Sequence, residues 1–229
     1  MRNVLLGALI ALVVIAAGPA PAAERLPLPA NGPVTVEFAI SEMANVMDLS
    51  GAWEVFQDAH DGTGFRLLIV SDRKGPVHLT GGMTVMADYS YADAPPADLV
   101  SVGAQQGSPA LIAWLKARHI EGSIIMSVCT GAFKLGAAGL LDGRKATTHH
   151  DFLASFHEKF PKVTLMPGIR YVQSDATIFT AAGLTSGIDL ALHMVALYYG
   201  EKEAAAVANY MEYSGTGWRS PEGASPTTD

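Results

Sequence analysis

One cysteine, Cys129, stands in the stretch Ser127-Val128-Cys129-Thr130-Gly131-Ala132-Phe133. The apolar run Ile124 to Val128 reads as a buried strand and Ala132 to Leu141 as a helix, which puts Cys129 at a sharp turn between them. Ser127 and Gly131 flank it at minus two and plus two. Small residues are needed there because larger side chains would collide as the chain folds back, the geometry that holds the serine of a G-x-S-x-G elbow above a sheet. A thiol in such an elbow points into a crevice at the end of the sheet, and the following helix N-terminus is expected to lower its pKa. A lone cysteine can equally be a small core hydrophobe; the elbow favours a functional thiol. Asp48 is the second candidate, just after the first strand and early in the next helix. A carboxylate beside a thiol could relay a proton or orient water, and burial would raise its pKa; a first-turn aspartate could also be a helix cap. Thr130 offers a backbone N–H to a developing anion and a hydroxyl to a substrate.

His149 and His150 read as the end of a short strand at the same sheet end. Neighbours on a strand face opposite ways, so only one can enter the crevice. No i, i+4 histidine pair is evident, and no metal is expected. There is no Walker-type phosphate loop and no Rossmann glycine fingerprint, so no cofactor is expected. His193 lies in an apolar helical stretch and reads as a satisfied core histidine. Ser186-x-x-Asp189 reads as a helix-start signal.

The elements that must position these groups alternate along the chain. Val34–Ile40, Phe65–Val70, Asp98–Val102 and Ile124–Val128 read as strands. Val46–Ala59, Pro109–Arg118, Ala132–Leu141, Asp151–Phe160, Thr185–Tyr199 and Glu201–Tyr213 read as helices. Val77–Ala87 reads as a hairpin turning at Gly81-Gly82, Lys145–His149 as a short strand, and Arg170–Val172 pairs with Ile178–Ala181 around Ser174-Asp175. The alternation implies one α/β domain: a mostly parallel sheet with helices on both faces and sites beyond the carboxyl ends of its strands. Residues 214–229, rich in Gly, Ser, Pro and Thr, are expected to be a disordered tail.

The chain has 229 residues, 49% hydrophobic and 16% charged, enough for one sizeable core. Its start reads differently. Arg2, the apolar run Val4–Ala17 and the small-residue segment Gly18–Ala23 read as a secretory signal peptide over residues 1–23, cleaved near Ala20-Pro21-Ala22. The apolar run is shorter than the roughly 20 residues of a spanning helix. The mature protein is therefore expected in a periplasm and free of the membrane. There, a cysteine with no partner in its own chain is inert, reactive, or half of an intermolecular bond. The formal net charge is −7, and one unit more negative once Arg2 is removed. With no basic stripe, nucleic-acid binding is not expected.

From these motifs the chain resembles the ThiJ/PfpI superfamily, over roughly residues 34–200. The stretch Ser127–Phe133, its continuation Leu140-Leu141-Asp142-Gly143-Arg144-Lys145-Ala146-Thr147-Thr148-His149, and Ala182-Gly183-Leu184-Thr185-Ser186-Gly187-Ile188-Asp189 are similar to the branch containing isonitrile hydratases and the sensor halves of some AraC-type regulators. The resemblance implies a flavodoxin-like three-layer sandwich of the class I glutamine-amidotransferase-like kind, with residues 201–213 as an added C-terminal helix. It implies Cys129 as elbow nucleophile, Asp48 as the acidic residue beside it, His149 at the crevice, and a possible homodimer. Two departures stand out. The protease-like members have Cys-His where this chain has Cys129-Thr130, which removes the natural base of a peptidase. Where better-known members have Pro-Gly-Gly, this chain has Gly103-Ala104-Gln105. Gly103 and Ala104 are then the backbone facing substrate or anion, with Gln105 or Gln106 turned into the crevice.

Two functional readings follow. In the first, Cys129 attacks a small electrophilic carbon, an isonitrile or a reactive carbonyl, in hydratase- or lyase-type chemistry, with Asp48 moving the proton. In the second, the pocket only binds a small ligand or senses oxidation. A chaperone or peptidase role ranks last, because a fold does not fix a function. The span after Tyr213 is too short for the DNA-binding domain of a regulator.

Overall fold

A computed structural model describes residues 25–220. The expected signal peptide and residues 221–229 of the expected tail lie outside the described residues. Seven strands form the main sheet: β1 (Val34–Ala39), β2 (Phe65–Ser71), β5 (Tyr89–Ser90), β6 (Leu99–Val102), β7 (Ile124–Ser127), β10 (Tyr171–Gln173) and β11 (Ile178–Ala181). Their order is β10-β11-β7-β6-β1-β2-β5, and only the β10–β11 pair is antiparallel. The hairpin of β3 (Gly75–His78) and β4 (Thr84–Ala87) stands apart, as do the short paired strands β8 (Lys145–Ala146) and β9 (Thr164–Leu165).

Near-continuous apolar strands are what a sheet covered on both faces requires. Along β6 and β7 successive side chains enter opposite layers. Leu99, Ile124 and Met126 join Phe38, Phe56 and Leu190 in one core, while Val100 and Ile125 join Leu111, Leu115 and Phe156 in the other. The first layer is closed by α1 (Val46–Asp58), α5 (Ser186–Tyr199) and α6 (Glu201–Tyr210). The second is closed by α2 (Pro109–Ile120), α3 (Ala132–Ala137) and α4 (Leu153–Lys159). The sheet grows outward in both directions from β1, whose neighbours are β2 and β6. That makes the β1/β6 boundary the switch point, where a crevice opens at the carboxyl ends of strands.

The expected flavodoxin-like α/β fold is present, with local departures. The helix after the elbow is short: a 3-10 turn takes Cys129–Gly131 and α3 ends at Ala137, followed by Gly139 at φ 74°. The strand expected over Lys145–His149 stops at Ala146. His149 instead caps a 3-10 turn over His150–Phe152, and the two imidazoles stack at 4.4 Å rather than facing opposite ways. The expected tail is ordered over its first part. Gly217–Arg219 form a 3-10 turn and Trp218 is 2% exposed. Asp189, read as a helix-start residue, is the anchor. It is fully buried, pairs with Arg170, accepts from Tyr213 Oη at 2.9 Å and accepts from the Trp218 N–H at 3.1 Å. Tyr171 Oη adds a hydrogen bond to the Trp218 carbonyl at 3.1 Å.

Trp218 is thus a core residue that completes the layer around α5. Trp218→Ala is expected to lower unfolding stability by about 3–5 kcal/mol; an unchanged denaturant midpoint would show that the segment is only laid on the surface.

Candidate functional site

Three consecutive positions in the sheet feed the crevice. The chain leaves β1 toward α1, leaves β6 through Gly103-Ala104, and leaves β7 into the elbow, so Asp48, Gly103 and Cys129 arrive together from distant parts of the sequence.

The elbow is fixed from several sides. Cys129 has φ 59°, a left-handed conformation that a non-glycine residue adopts at a cost. Its N–H donates to the Ala182 carbonyl at 2.8 Å, and its carbonyl accepts from the buried Thr148 hydroxyl at 3.0 Å. A side chain at Gly131 would place a Cβ 2.1 Å from the Val102 carbonyl oxygen, so only glycine lets the turn close on the end of β6. Ser127, at minus two, is fully buried, as the tight turn requires.

Asp48 sits in the first turn of α1 but does not cap it. Asn45 does, its Oδ1 accepting from the Met47 and Asp48 N–H groups at 2.9 and 3.3 Å. The Asp48 carboxyl is released to turn inward, where the residue is 2% exposed. Its Oδ2 accepts from the Ala104 N–H at 2.8 Å. Gly103 lies flat against it, since a Cβ there would be 2.7 Å from the Asp48 Cβ. Beyond that one bond the Asp48 side chain interacts with the Cys129 thiol. The contact is looser than a conventional hydrogen bond, for Oδ1 meets no donor at hydrogen-bonding geometry.

The electrostatics differ from the sequence expectation. Burial is the largest influence on both groups. It raises Asp48 to about 6, against the Ala104 N–H and the thiol, which favour the charged form. It also raises Cys129 to about 11, and the Asp48 charge adds to the rise. The backbone amides of Thr130 and Leu184, directed at the sulfur, oppose it. The expected depression by a helix N-terminus is overturned, because a 3-10 turn and a six-residue helix align too few peptide dipoles to offset desolvation and a neighbouring carboxylate. At neutral pH the pair rests as a thiol beside a carboxylate.

The other expected residues divide. Thr130 is in place through its backbone amide. The Ala104 N–H is engaged by Asp48 and is not free for a substrate anion. Gln105 turns inward at the end of β1, beside Asp48: its Nε2 donates to the Ala39 carbonyl at 2.9 Å and its Oε1 is buried without a partner. Gln105 and Asp48 line an internal space of about 10 Å³, at the lower limit for one water. The Gln106 carbonyl accepts from Lys134 Nζ at 2.8 Å. His149 Nδ1 accepts from the Asp151 N–H at 3.2 Å, and its ring lies against Gly183. His149, Thr148, Ala182 and Leu184 wall a cavity of about 320 Å³ beside the elbow. Cys129 itself is 6% exposed and not part of that wall. His149, His150 and Asp151 bring ligand atoms within 4.8 Å of one another, a grouping the sequence reading did not identify as a metal site. Parallel stacking aims the two imidazoles side by side rather than at one point, which suits a shared metal poorly.

Leu184 and Thr148 were missed as site residues. Leu184, at φ 50°, turns its amide toward the sulfur and also lines the neighbouring cavity. Neither carries ionisable chemistry, so only their place in the motifs Ala182–Thr185 and Ala146–His149 could have signalled them.

Residues 34–197 match the sequence pattern of the DJ-1/PfpI family. The isonitrile hydratase of Pseudomonas putida is 28% identical over 185 residues, covering 78% of this chain and 78% of that protein. The HTH-type transcriptional regulator CdhR of Pseudomonas aeruginosa is 32% identical over 149 residues, which are 63% of this chain and 44% of the regulator. Among solved structures, an AraC family transcriptional regulator from Pseudomonas putida superposes with a TM-score of 0.71 at 25% identity, over 78% of this chain and 100% of that one.

Two outcomes test the electrostatics. The alkylation rate of Cys129 should keep rising with pH well beyond the ~8.5 of a free thiol, and Asp48→Asn should shift the profile downward by removing a negative neighbour. A profile that plateaus near neutrality would refute the resting thiol. The second outcome concerns stability. Folded Asp48 titrates near 6 against an ordinary value of 3.8, so between those pH values the native state holds a proton that the unfolded state has lost. Stability from this group is greatest below that window and declines as pH rises through it. By pH 7 the decline is on the order of 2–3 kcal/mol. Asp48→Asn should abolish that part of the slope in denaturation series run from pH 4 to pH 7.

Proposed function

The chain belongs to the DJ-1/PfpI family, and from the buried contact of Asp48 with Cys129 we propose that it is an exported enzyme of hydratase or lyase type acting on a small electrophilic carbon. An isonitrile is the substrate that best fits this proposal, and a reactive carbonyl the next. Substrate enters the cavity walled by His149 and Leu184 and reaches past Leu184 to the sulfur. As the sulfur–carbon bond forms, the thiol proton passes to the Asp48 carboxylate, which is the base because it is already ionised at neutral pH. With an isonitrile, Asp48 then delivers that proton to the same carbon, leaving a thioimidate on Cys129. Water adds to it, and collapse expels the sulfur with return of a proton, releasing a formamide. The Thr130 and Leu184 amides steady the sulfur as it gains and loses charge. Proteolysis is disfavoured because the residue after the cysteine is a threonine. The similarity to an isonitrile hydratase over most of both chains supports this chemistry.

A second reading, a non-catalytic small-molecule binder, draws support from the regulators among the relatives and from the burial of Cys129 outside the wall of the neighbouring cavity. In either reading the ligand is a small molecule, and a homodimer remains part of the proposal. Export rests on the composition of residues 1–23.

Incubation with a small alkyl isonitrile, followed by detection of the formamide, tests the proposal. Cys129→Ser and Asp48→Asn should each lower the rate roughly 10²- to 10⁴-fold. The wild-type kcat/KM should fall below pH 6 as Asp48 takes up its proton. Saturable binding of isonitriles and dicarbonyls without turnover would move the protein to the second reading.

A further inference from the structure

Residues 104–107, which follow β6, carry the amide that holds Asp48 but form no regular element. Hydrogen bonds to other segments must therefore place them. Among the described residues these run, with one exception, to residues 39–48, the segment that bears Asp48 itself. The Asn45 N–H donates to the Ala104 carbonyl at 2.8 Å, the Gln106 N–H to the Glu42 carbonyl at 3.2 Å, and Gln105 Nε2 to the Ala39 carbonyl at 2.9 Å. The Gly107 N–H donates to Oγ of the buried Ser41 at 2.8 Å. The exception reaches the elbow side: Lys134 Nζ donates to the Gln106 carbonyl at 2.8 Å. Lys134 lies in α3, the helix that follows the elbow. Its contact is seated. Gly107 has φ 74°, and a Cβ there would lie 2.8 Å from Lys134 Cε and 3.1 Å from Nζ, so the bare glycine backbone makes room for the ammonium.

We infer that Lys134 is a positioning residue for the chemistry proposed above, a reading on which this inference rests: by clamping the peptide between Gln106 and Gly107 against Ser41, it ties the Asp48 side of the crevice to the Cys129 side. That one peptide unit is held at both ends, its carbonyl by an ammonium from α3 and its N–H by a hydroxyl just past β1. A bond from a charged donor is the stronger kind, and the planar peptide passes the constraint from one end to the other. With the clamp in place, the Ala104 amide stays on Asp48 Oδ2 at 2.8 Å while the elbow stays against the end of β6. Without it the loop follows residues 39–48 alone, since no other hydrogen bond of residues 104–107 reaches α3 among the described residues. Lys134 is not part of the wall of the cavity beside the elbow, so it acts through the loop rather than on a substrate. The ionisable neighbours are few. Cys129 faces Asp48, and the Lys159 ammonium of α4 faces Lys134. Partial burial and Lys159 both disfavour the charge on Lys134, a cost that a freely solvated lysine would avoid.

Two readouts need no turnover and so keep this inference separate from the fate of the isonitrile chemistry. One is hydrogen exchange of the Ala104 amide, the other the titration of the Asp48 carboxyl carbon by NMR. In Lys134→Met the Ala104 amide should exchange about tenfold faster. The Asp48 midpoint, about 6 in the native protein, should move upward, because a withdrawn N–H no longer favours the carboxylate. Ser41→Ala releases the other end of the clamp without changing any charge, and it should move both readouts the same way. Lys134→Arg keeps a charged donor and should hold both near their native values. A midpoint that shifts in Lys134→Met but not in Ser41→Ala would reduce Lys134 to a remote charge and overturn the inference. An unmoved Ala104 amide would overturn it too. So would equal acceleration at the Ile125 amide, which is bonded deep in the sheet and would report general loosening.

Discussion

The approach of the elbow to the end of β6 sets the geometry on which the site depends. At Gly131 the backbone lies so close to the Val102 carbonyl that no side chain fits between them. The same carbonyl accepts the Val128 N–H at 3.0 Å. With β7 locked at that point, the chain must reverse within a few residues, and Cys129 takes the left-handed conformation that the reversal imposes. The next layer follows from the same packing. Gly103, one residue past Val102, is pressed between the elbow on one side and Asp48 on the other. A larger residue at 103 would push Asp48 off the Ala104 amide and away from the thiol. Two glycines distant in sequence therefore decide whether a carboxyl and a sulfur meet.

Enclosing two acids in one desolvated space has an electrostatic consequence. Burial raises the proton affinity of both and the Asp48 charge raises that of Cys129 further, while the thiol favours the charged form of Asp48, so the space holds one proton and one charge at neutral pH. The charge stays on Asp48 because the Ala104 amide is aimed there and carboxyls are the stronger acids. In the proposed chemistry the resting thiol meets an electrophile with its base already in place. Such a site reacts when a substrate is bound long enough for proton transfer and bond formation to proceed together, and it reacts poorly with transient oxidants, which require free thiolate. This weighs against oxidation sensing and toward a bound small molecule.

Much of this was legible in the sequence, for physical reasons that can be named. The layers followed from apolar runs too continuous for a half-exposed sheet. The elbow followed from small residues around Cys129. Asp48 was legible as a carboxylate at a strand's carboxyl end, although capping and a turn toward the thiol could not be separated until Asn45 was seen to take the cap. What was missed depends on tertiary contacts without a local pattern. Gly-, Ser- and Pro-rich composition suggested a featureless end, but a single Trp218 has enough apolar surface to dock once Asp189 is there to receive its amide. The length of α3 and the early stop of β8 depend on neighbours: Gly136 is packed under Phe160, and β8 finds only β9 to pair with. The thiol's acidity was misjudged because a strand-to-helix elbow was taken to imply an aligned helix behind it, whereas the chain first makes a 3-10 turn.

α5 joins the elbow to the C-terminal turn. Its leading loop presents the Leu184 amide to the sulfur, and its first turn holds Asp189 against Arg170 and the C-terminal turn. The helix is apolar around nearly its whole circumference, so it is held by packing on most sides. Gly187 lets its first turn sit directly against Val128, the residue before the nucleophile, with a virtual Cβ only 2.9 Å from the Val128 side chain. Any shift of α5 along its axis would thus be felt at the elbow within one residue of Cys129. Because Asp189 is the residue that ties the C-terminal turn to this helix, the order of that turn and the placement of the thiol are two consequences of one packing arrangement.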